Sequence, residues 1–103
     1  MARSARELFE GLGRRSGPTR ARGLTASYRF DVEGAGSWRI EVDDGAVFVE
    51  ESAAAADCVI STSEETLLRI VRGEESPIGA YFAGKVKVAG DVGLALRLGD
   101  LLA

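Results

Sequence analysis

The sequence contains no histidine, and that absence excludes more chemistry than any residue present suggests. Without an imidazole there is no His-based general acid or base, no Ser-His or Cys-His nucleophile pair, and almost no zinc or transition-metal site. Cysteine occurs once, as Cys58, so no intramolecular disulfide forms and a reducing compartment is expected. Methionine occurs only as Met1 and proline only as Pro18 and Pro77. No apolar run approaches the roughly 18 residues that a membrane span needs, and the N-terminus carries no signal-peptide core. The expected location is cytoplasmic.

What is present suits one domain: 103 residues, of which 46% are hydrophobic and 28% charged. The net charge of −3 hides an asymmetry. Residues 1–22 hold six arginines against Glu7 and Glu10, whereas the remainder holds seven basic and fourteen acidic residues. A nucleic-acid partner is not expected, because the folded body is acidic where such a binder would be basic. The arginine-rich leader reads as a solvated arm, with an anionic headgroup or transient membrane contact as the alternative.

Periodicity divides the chain. "SARELFEGL" sets Leu8 and Leu12 four apart with Phe9 beside them, a short amphipathic helix capped by Ser4. Gly13 to Gly23 form a connector, so residues 1–22 are expected to be a short helix and arginine-rich link, and residues 23–103 the main domain. From Leu24 the period becomes two: Ala26, Tyr28, Phe30 and Val32 alternate with polar residues, as do Trp38, Ile40 and Val42. Asp44-Gly45 is a hairpin signal, and "AVFVEES" and "DCVIS" supply a third and a fourth strand.

Helical spacing begins at Thr62, which with Glu65 reads as a capping box before Leu67, Leu68, Ile70 and Val71. Ser76-Pro77 opens another helix, with Ile78, Tyr81 and Phe82 as its apolar face and Gly84 as its end. A fifth strand follows around Val86 and Val88. Asp91 caps a last helix whose Leu94, Leu98 and Leu101 share one face, and Gly93 is expected to allow close packing on the sheet. In the first, second and fifth strands only one face is apolar, so helices cover one side only. The fold expected is α+β: a two-layer sandwich with about five mainly antiparallel strands and helices on one face.

"GKVKVAGDVG" invites a phosphate cradle, but its lysines precede the last glycines and lie in a strand pattern, unlike a Walker A loop or G-x-G-x-x-G. The carboxylate pairs Asp43-Asp44, Glu50-Glu51, Glu64-Glu65 and Glu74-Glu75 fall at turns and helix starts, where solubility and capping explain them. Cys58 has no histidine to activate it and reads as a packed strand cysteine. No catalytic constellation remains, so no enzyme activity and no cofactor are expected.

From Gly73 onward, "GEESPIGAYFAGKVKVAGDVGLALRL" resembles the sterol carrier protein type 2 family of small lipid-binding domains. The ordered features are a glycine closing a helix, the paired aromatics Tyr81-Phe82, then Gly-Lys-aliphatic-Lys-aliphatic, Gly-Asp and aliphatic-Gly-Leu-Ala. "ADCVIST" is similar to the family's fourth strand, and "SWRIEVDDGAVFV" to its second and third. The resemblance covers residues 24–103. It implies an apolar tunnel between sheet and helices that takes sterols, fatty acids, fatty acyl-CoA or phospholipids without catalysis. The ligand wall it implies is Phe30, Trp38, Ile40, Leu67, Val71, Ile78, Phe82, Leu94 and Leu98. The alternatives are a structural or interaction domain with a filled core, or an accessory domain to a separately encoded enzyme. The last helix is expected to run to Ala103, so a C-terminal segment that could close one end of the tunnel is not expected, and "LLA" is not a peroxisomal address.

Overall fold

A pleated strand sends alternate side chains to opposite faces, and β1 (Thr25–Glu33) uses this to make one face of the sheet dry: Ala26, Tyr28, Phe30 and Val32 are buried, while Thr25 and Glu33 are exposed. The computed structural model describes residues 3–14, 23, 25–44 and 46–96, with backbone alone at 13, 14 and 96. β2 (Gly36–Asp43) pairs antiparallel with β1, setting Ile40 opposite Tyr28 and Trp38 opposite Phe30 on that face. β3 (Ala46–Glu51) adds Val49 opposite Ile40. On the other side of β1, β4 (Cys58–Ser63) runs parallel and places Ile60 beside Phe30, and β5 (Val86–Gly90) returns antiparallel with Val88 opposite Ile60. The five strands lie in the order β3-β2-β1-β4-β5, and all pairings but β1 with β4 are antiparallel. The α+β sandwich expected from strand patterning is the architecture observed.

The helices divide the apolar face between them. α1 (Ala5–Arg14) lies over β3, whereas α2 (Glu64–Val71), α3 (Pro77–Phe82) and α4 (Val92–Leu96) lie over β4 and β5, with α2 reaching β1. α1 buries Ala5, Phe9 and Leu12, spaced at the four and three residues that keep side chains on one helix face. These residues belong to the same hydrophobic core as the sheet. Ser4 Oγ accepts the Glu7 N–H at 3.2 Å, and Glu64 of α2 accepts the Ala5 N–H at 3.0 Å, so donors of the first turn are satisfied.

Local signals explain the other ends. α2 and α3 close in the same way: Gly73 (φ 78°) and Gly84 (φ 78°) take the left-handed conformation that lets the last carbonyls be capped. The Glu74 N–H then reaches Arg69 O at 2.8 Å, and the Lys85 N–H reaches Ala80 O at 2.9 Å. Ser76 Oγ caps α3 through the Gly79 N–H at 3.2 Å, with Pro77 at its first position. At α2, however, the cap is Ser63, whose Oγ accepts the Thr66 N–H at 3.1 Å. The expected Thr62–Glu65 box is corrected because strand alternation persists through Thr62, which is buried and donates to Lys85 O at 3.0 Å. In α3 the face is likewise reversed. Ala80 is buried, while Ile78, Tyr81 and Phe82 are exposed. The alignment of Leu98 and Leu101 with Leu94 lies outside the described residues.

Because β4 lies across β1 from β3, the intervening segment must cross the outer face of the sheet. Two arginines hold it there: Arg29 Nη1 donates to Ala53 O at 3.0 Å, and Arg39 Nε donates to Ala55 O at 3.1 Å. Arg29 also grips Asp31 at 3.0 Å through both carboxylate oxygens, and Ser37 Oγ donates to Asp31 at 2.8 Å. These hydrogen bonds, the Arg29 contacts foremost, hold the Asp31 carboxyl below its ordinary range. The crossing ends in a reciprocal pair, in which the Asp57 N–H donates to Ser27 Oγ at 2.9 Å and the Ser27 N–H to Asp57 Oδ2 at 3.1 Å. Gly90 (φ 88°) packs directly against the Asp57 carbonyl, which accepts the Asp91 N–H at 3.0 Å. Asp91 Oδ1 accepts the Leu94 N–H at 3.3 Å, the expected cap. Gly93 does not approach the sheet as expected: the nearest atom to a side chain added there is Asp91 Oδ1, at 3.1 Å.

A Gly90→Ala substitution should cost at least about 2 kcal/mol, because the methyl would overlap the Asp57 carbonyl in a conformation already strained for alanine; urea unfolding measures it. Asp31→Asn tests the outer-face network. Since the folded Asp31 pKa is depressed, its contribution is complete above the unfolded pKa near 4 and disappears as pH falls through the folded value. The variant should therefore be less stable at pH 7 by an amount on the order of 1 kcal/mol or less, given the partial exposure of the pair, and the difference should close in acid.

Candidate functional site

The apolar layer between sheet and helices falls into two parts with different packing. On the β1–β2 side the space is filled. Phe9 of α1 stacks on Trp38 with ring centroids 4.9 Å apart at 18°, and lies tilted on Phe30 at 5.2 Å. Phe30, Trp38, Ile40 and Leu67, four of the residues expected to form a ligand wall, are all buried in this cluster. Arg6 closes it from outside: its guanidinium lies 5.8 Å from the Trp38 ring centroid and donates twice to Glu51, each bond 3.0 Å. That contact lowers the Glu51 pKa, through hydrogen bonding first and charge second.

On the β4–β5 side the inward residues Cys58 and Ile60 are buried as well, as are Leu68 of α2 and Ala80 of α3, but the helices leave an apolar flank open to water. Val71 is 37% exposed, Ile78 62% and Phe82 81%, although all three were expected to line the wall. Tyr81 and Val92 are exposed beside them in the chain, with the Tyr81 and Phe82 rings edge to face at 5.6 Å. Leu94, Val86 and Val88 are partly buried against the core beneath. Leu98 lies outside the described residues. The eight of these nine residues that the structure describes therefore form two groups: Phe30, Trp38, Ile40 and Leu67 inside the packed core, and Val71, Ile78 and Phe82 on its open flank, with Leu94 partly buried.

Three relevant residues were not among those expected to form the ligand wall. Phe9 was placed beside the Leu8–Leu12 pair, yet Ala5, Phe9 and Leu12 share the buried helix face at the spacing that should have chosen it. Tyr28 is fully buried in the central strand, and its hydroxyl donates to Leu94 O at 2.8 Å, tying α4 to the sheet. Val92 carried no sequence signal, since a first-turn valine in so short a helix is neither core nor surface by pattern.

Among the described residues, clefts open at two margins of this layer. One, of about 640 Å³, wraps the end of the sheet and is lined by polar groups, including Asp31, Ser37, Ser61, Ser63, Thr66, Lys85 and Lys87. The other, about 320 Å³, lies between α1 and the β2–β3 edge and reaches Phe9 and Trp38 past Arg6 and Glu51. Neither is an apolar tunnel between the layers. Among the described residues, no three His, Cys, Asp or Glu side chains gather as metal ligands would. Burial and the charges of Asp91 and Asp57 raise the Cys58 thiol pKa, which leaves it protonated and unreactive at neutral pH.

The chain has relatives of known name. Sterol carrier protein 2 of Rattus norvegicus is 38% identical over 66 residues, 63% of this chain and 12% of that protein. Hydroxysteroid dehydrogenase-like protein 2 of Xenopus laevis is 30% identical over 100 residues, 93% of this chain and 24% of that one. The chain thus spans a quarter or less of the curated relatives it matches. Among solved structures, palmitated SCP2L2 from Aedes aegypti superposes with a TM-score of 0.72 at 22% identity, over 96% of this chain and 94% of that one. The sec-alkylsulfatase Pisa1 from Pseudomonas sp. gives 0.74 at 21% identity, over 91% of this chain but 15% of the sulfatase. These structures share the fold: one mixed sheet with its helices on a single face. A family model covering residues 7–103 takes in that sheet and its covering helices, and the chain belongs to the SCP-2 sterol transfer family.

Proposed function

We propose that this chain binds and transfers an apolar lipid (a fatty acid, fatty acyl-CoA, phospholipid or sterol) by burial alone, without catalysing a reaction. The observation that carries this reading is the polarity of the helices over β4 and β5, which leave Val71, Ile78, Tyr81, Phe82 and Val92 in water above an apolar sheet. Large apolar groups left exposed in one region of a small domain mark a surface that something else covers. An acyl chain laid along this exposed flank would meet Val71, Ile78 and Phe82, with partly buried Leu94 beneath. Phe30, Trp38, Ile40 and Leu67 would form its packed floor.

Each methylene removed from water contributes about 0.8 kcal/mol, so a long chain binds without a charged partner and with broad selectivity. The palmitated state of the Aedes aegypti neighbour supports a fatty acyl ligand, and the name of sterol carrier protein 2 supports a sterol. A cytoplasmic carrier in transient membrane contact is part of the same proposal, since it must meet the bilayers it serves. No described helix is long and apolar enough to cross one.

A second reading rests on relative length. This chain covers 24% of hydroxysteroid dehydrogenase-like protein 2 and 15% of Pisa1, so a unit of this kind accompanies other domains in longer chains. On that reading it would be an accessory domain to a separately encoded enzyme, or an interaction domain whose core is already filled.

Titration of delipidated protein separates the two. Fatty acid at a hundred times its Kd should stabilise the fold by about 2.7 kcal/mol, a Tm increase on the order of 10 °C. Phe82→Ala should weaken binding about 30-fold, the loss of roughly 2 kcal/mol of aromatic burial, while leaving the ligand-free Tm nearly unchanged because Phe82 is 81% exposed. A flat Tm across fatty acid, acyl-CoA, phospholipid and sterol, with no lipid adduct in native mass spectrometry, would favour the accessory reading.

A further inference from the structure

The two edges of the sheet carry opposite charge. β3 ends in Glu50 and Glu51, and β5 begins beside Lys85 and carries Lys87. Charged side chains on an edge strand are the usual protection against edge-to-edge pairing. Here they protect each edge only from its own kind. Two β3 edges would bring four carboxylates to one seam and two β5 edges four ammonium groups, but a β3 edge and a β5 edge attract.

Strand direction permits that unlike pairing. β3 and β4 both run parallel to β1, and β5 runs opposite to β4, so a second copy set beside the first in the same orientation meets it with antiparallel strands. A register that keeps both helix layers on one side sets Lys87 opposite Glu50 and Ala89 opposite Phe48 on the outer face. On the inner face Val88 meets Val49. Phe48 is 61% exposed, a large aromatic on an edge that has no partner beyond β3 among the described residues. Glu50 and Lys87 have no ion-pair partner among the described residues, whereas Glu51 is held by Arg6 and Lys85 by Glu75 at 3.1 Å.

We infer that the β5 edge of one copy pairs with the β3 edge of a second copy, head to tail, extending the sheet through a Lys87–Glu50 contact. The interface is heterologous: a joined pair retains one free edge of each charge, and assembly proceeds to a ring or an open chain rather than stopping at a two-fold dimer. It leaves the open flank over β4 and β5 on the helical face, so it does not depend on the lipid reading.

Sedimentation of the full chain tests this. At about 10 mM salt the mass should rise with concentration beyond that of a dimer, and at about 1 M salt, where the Debye length is about 3 Å, association should weaken. Lys87→Glu and Glu50→Lys should each weaken self-association at least about tenfold, because an attractive pair becomes repulsive. Mixing the two variants should restore it, since each then offers the edge the other lacks; an unfolded variant would not be rescued by mixing. A wild type that stays monomeric at low salt, single variants that associate like the wild type, or a mixture that fails to recover would each overturn the pairing.

Discussion

The contact of Phe9 with Trp38 and Phe30 decides how the rest of the molecule is arranged. A sheet with one apolar face needs a cover, and a short helix can supply it only by bringing a large ring to the strand centre. Phe9 does so from α1, with Arg6 over the Trp38 ring and Glu64 accepting from the Ala5 N–H of the helix. Once that half is filled, the remaining apolar surface lies under α2, α3 and α4. Those helices are short: α3 turns Ile78, Tyr81 and Phe82 outward, and α2 and α4 leave Val71 and Val92 exposed at their ends. The open flank is therefore the counterpart of a well-packed aromatic cluster elsewhere in the same layer.

A second constraint lies on the polar face. Parallel pairing of β1 with β4 forces the β3–β4 segment across the sheet, where a run of alanines presents carbonyls to Arg29 and Arg39. These arginines stand on the wet side of their strands, and their hydrogen bonds to backbone oxygen satisfy polar groups that the crossing would otherwise leave without partners. The reciprocal Ser27–Asp57 pair and the glycine at position 90 then bring β4 and β5 into register with β1. The inward placement of Ile60 and Val88 follows from this register.

Much of this was legible in the residues. Alternation in β1, β2 and β5, the Ser76-Pro77 start, the glycines at 73 and 84 and the Asp91 cap are short-range effects, and the structure follows them. The Thr62 cap was misplaced by one residue because strand and helix signals overlap there; threonine suits both a buried strand position and a cap, and only the bond to Lys85 O decides. The orientation of α3 was not legible. Ile78, Tyr81 and Phe82 satisfy a helical apolar pattern, but which side meets β5 depends on how closely the helix approaches, and small Ala80 is what lies there. Site residues chosen for being apolar were consequently divided between a floor and a flank, a difference of packing that periodicity does not contain.

The two parts imply different responses to an apolar ligand. The Phe9–Trp38–Phe30 cluster yields only by losing stacked contacts, while the α2–α4 flank gains burial for side chains that now face water. Amide chemical-shift mapping during titration with a fatty acid reads the two directly. The account predicts that the largest changes fall on Val71, Ile78, Tyr81, Phe82, Val92 and Leu94, with Phe9, Phe30 and Trp38 nearly unmoved. Changes centred on Phe9 and Trp38, with the flank silent, would contradict it.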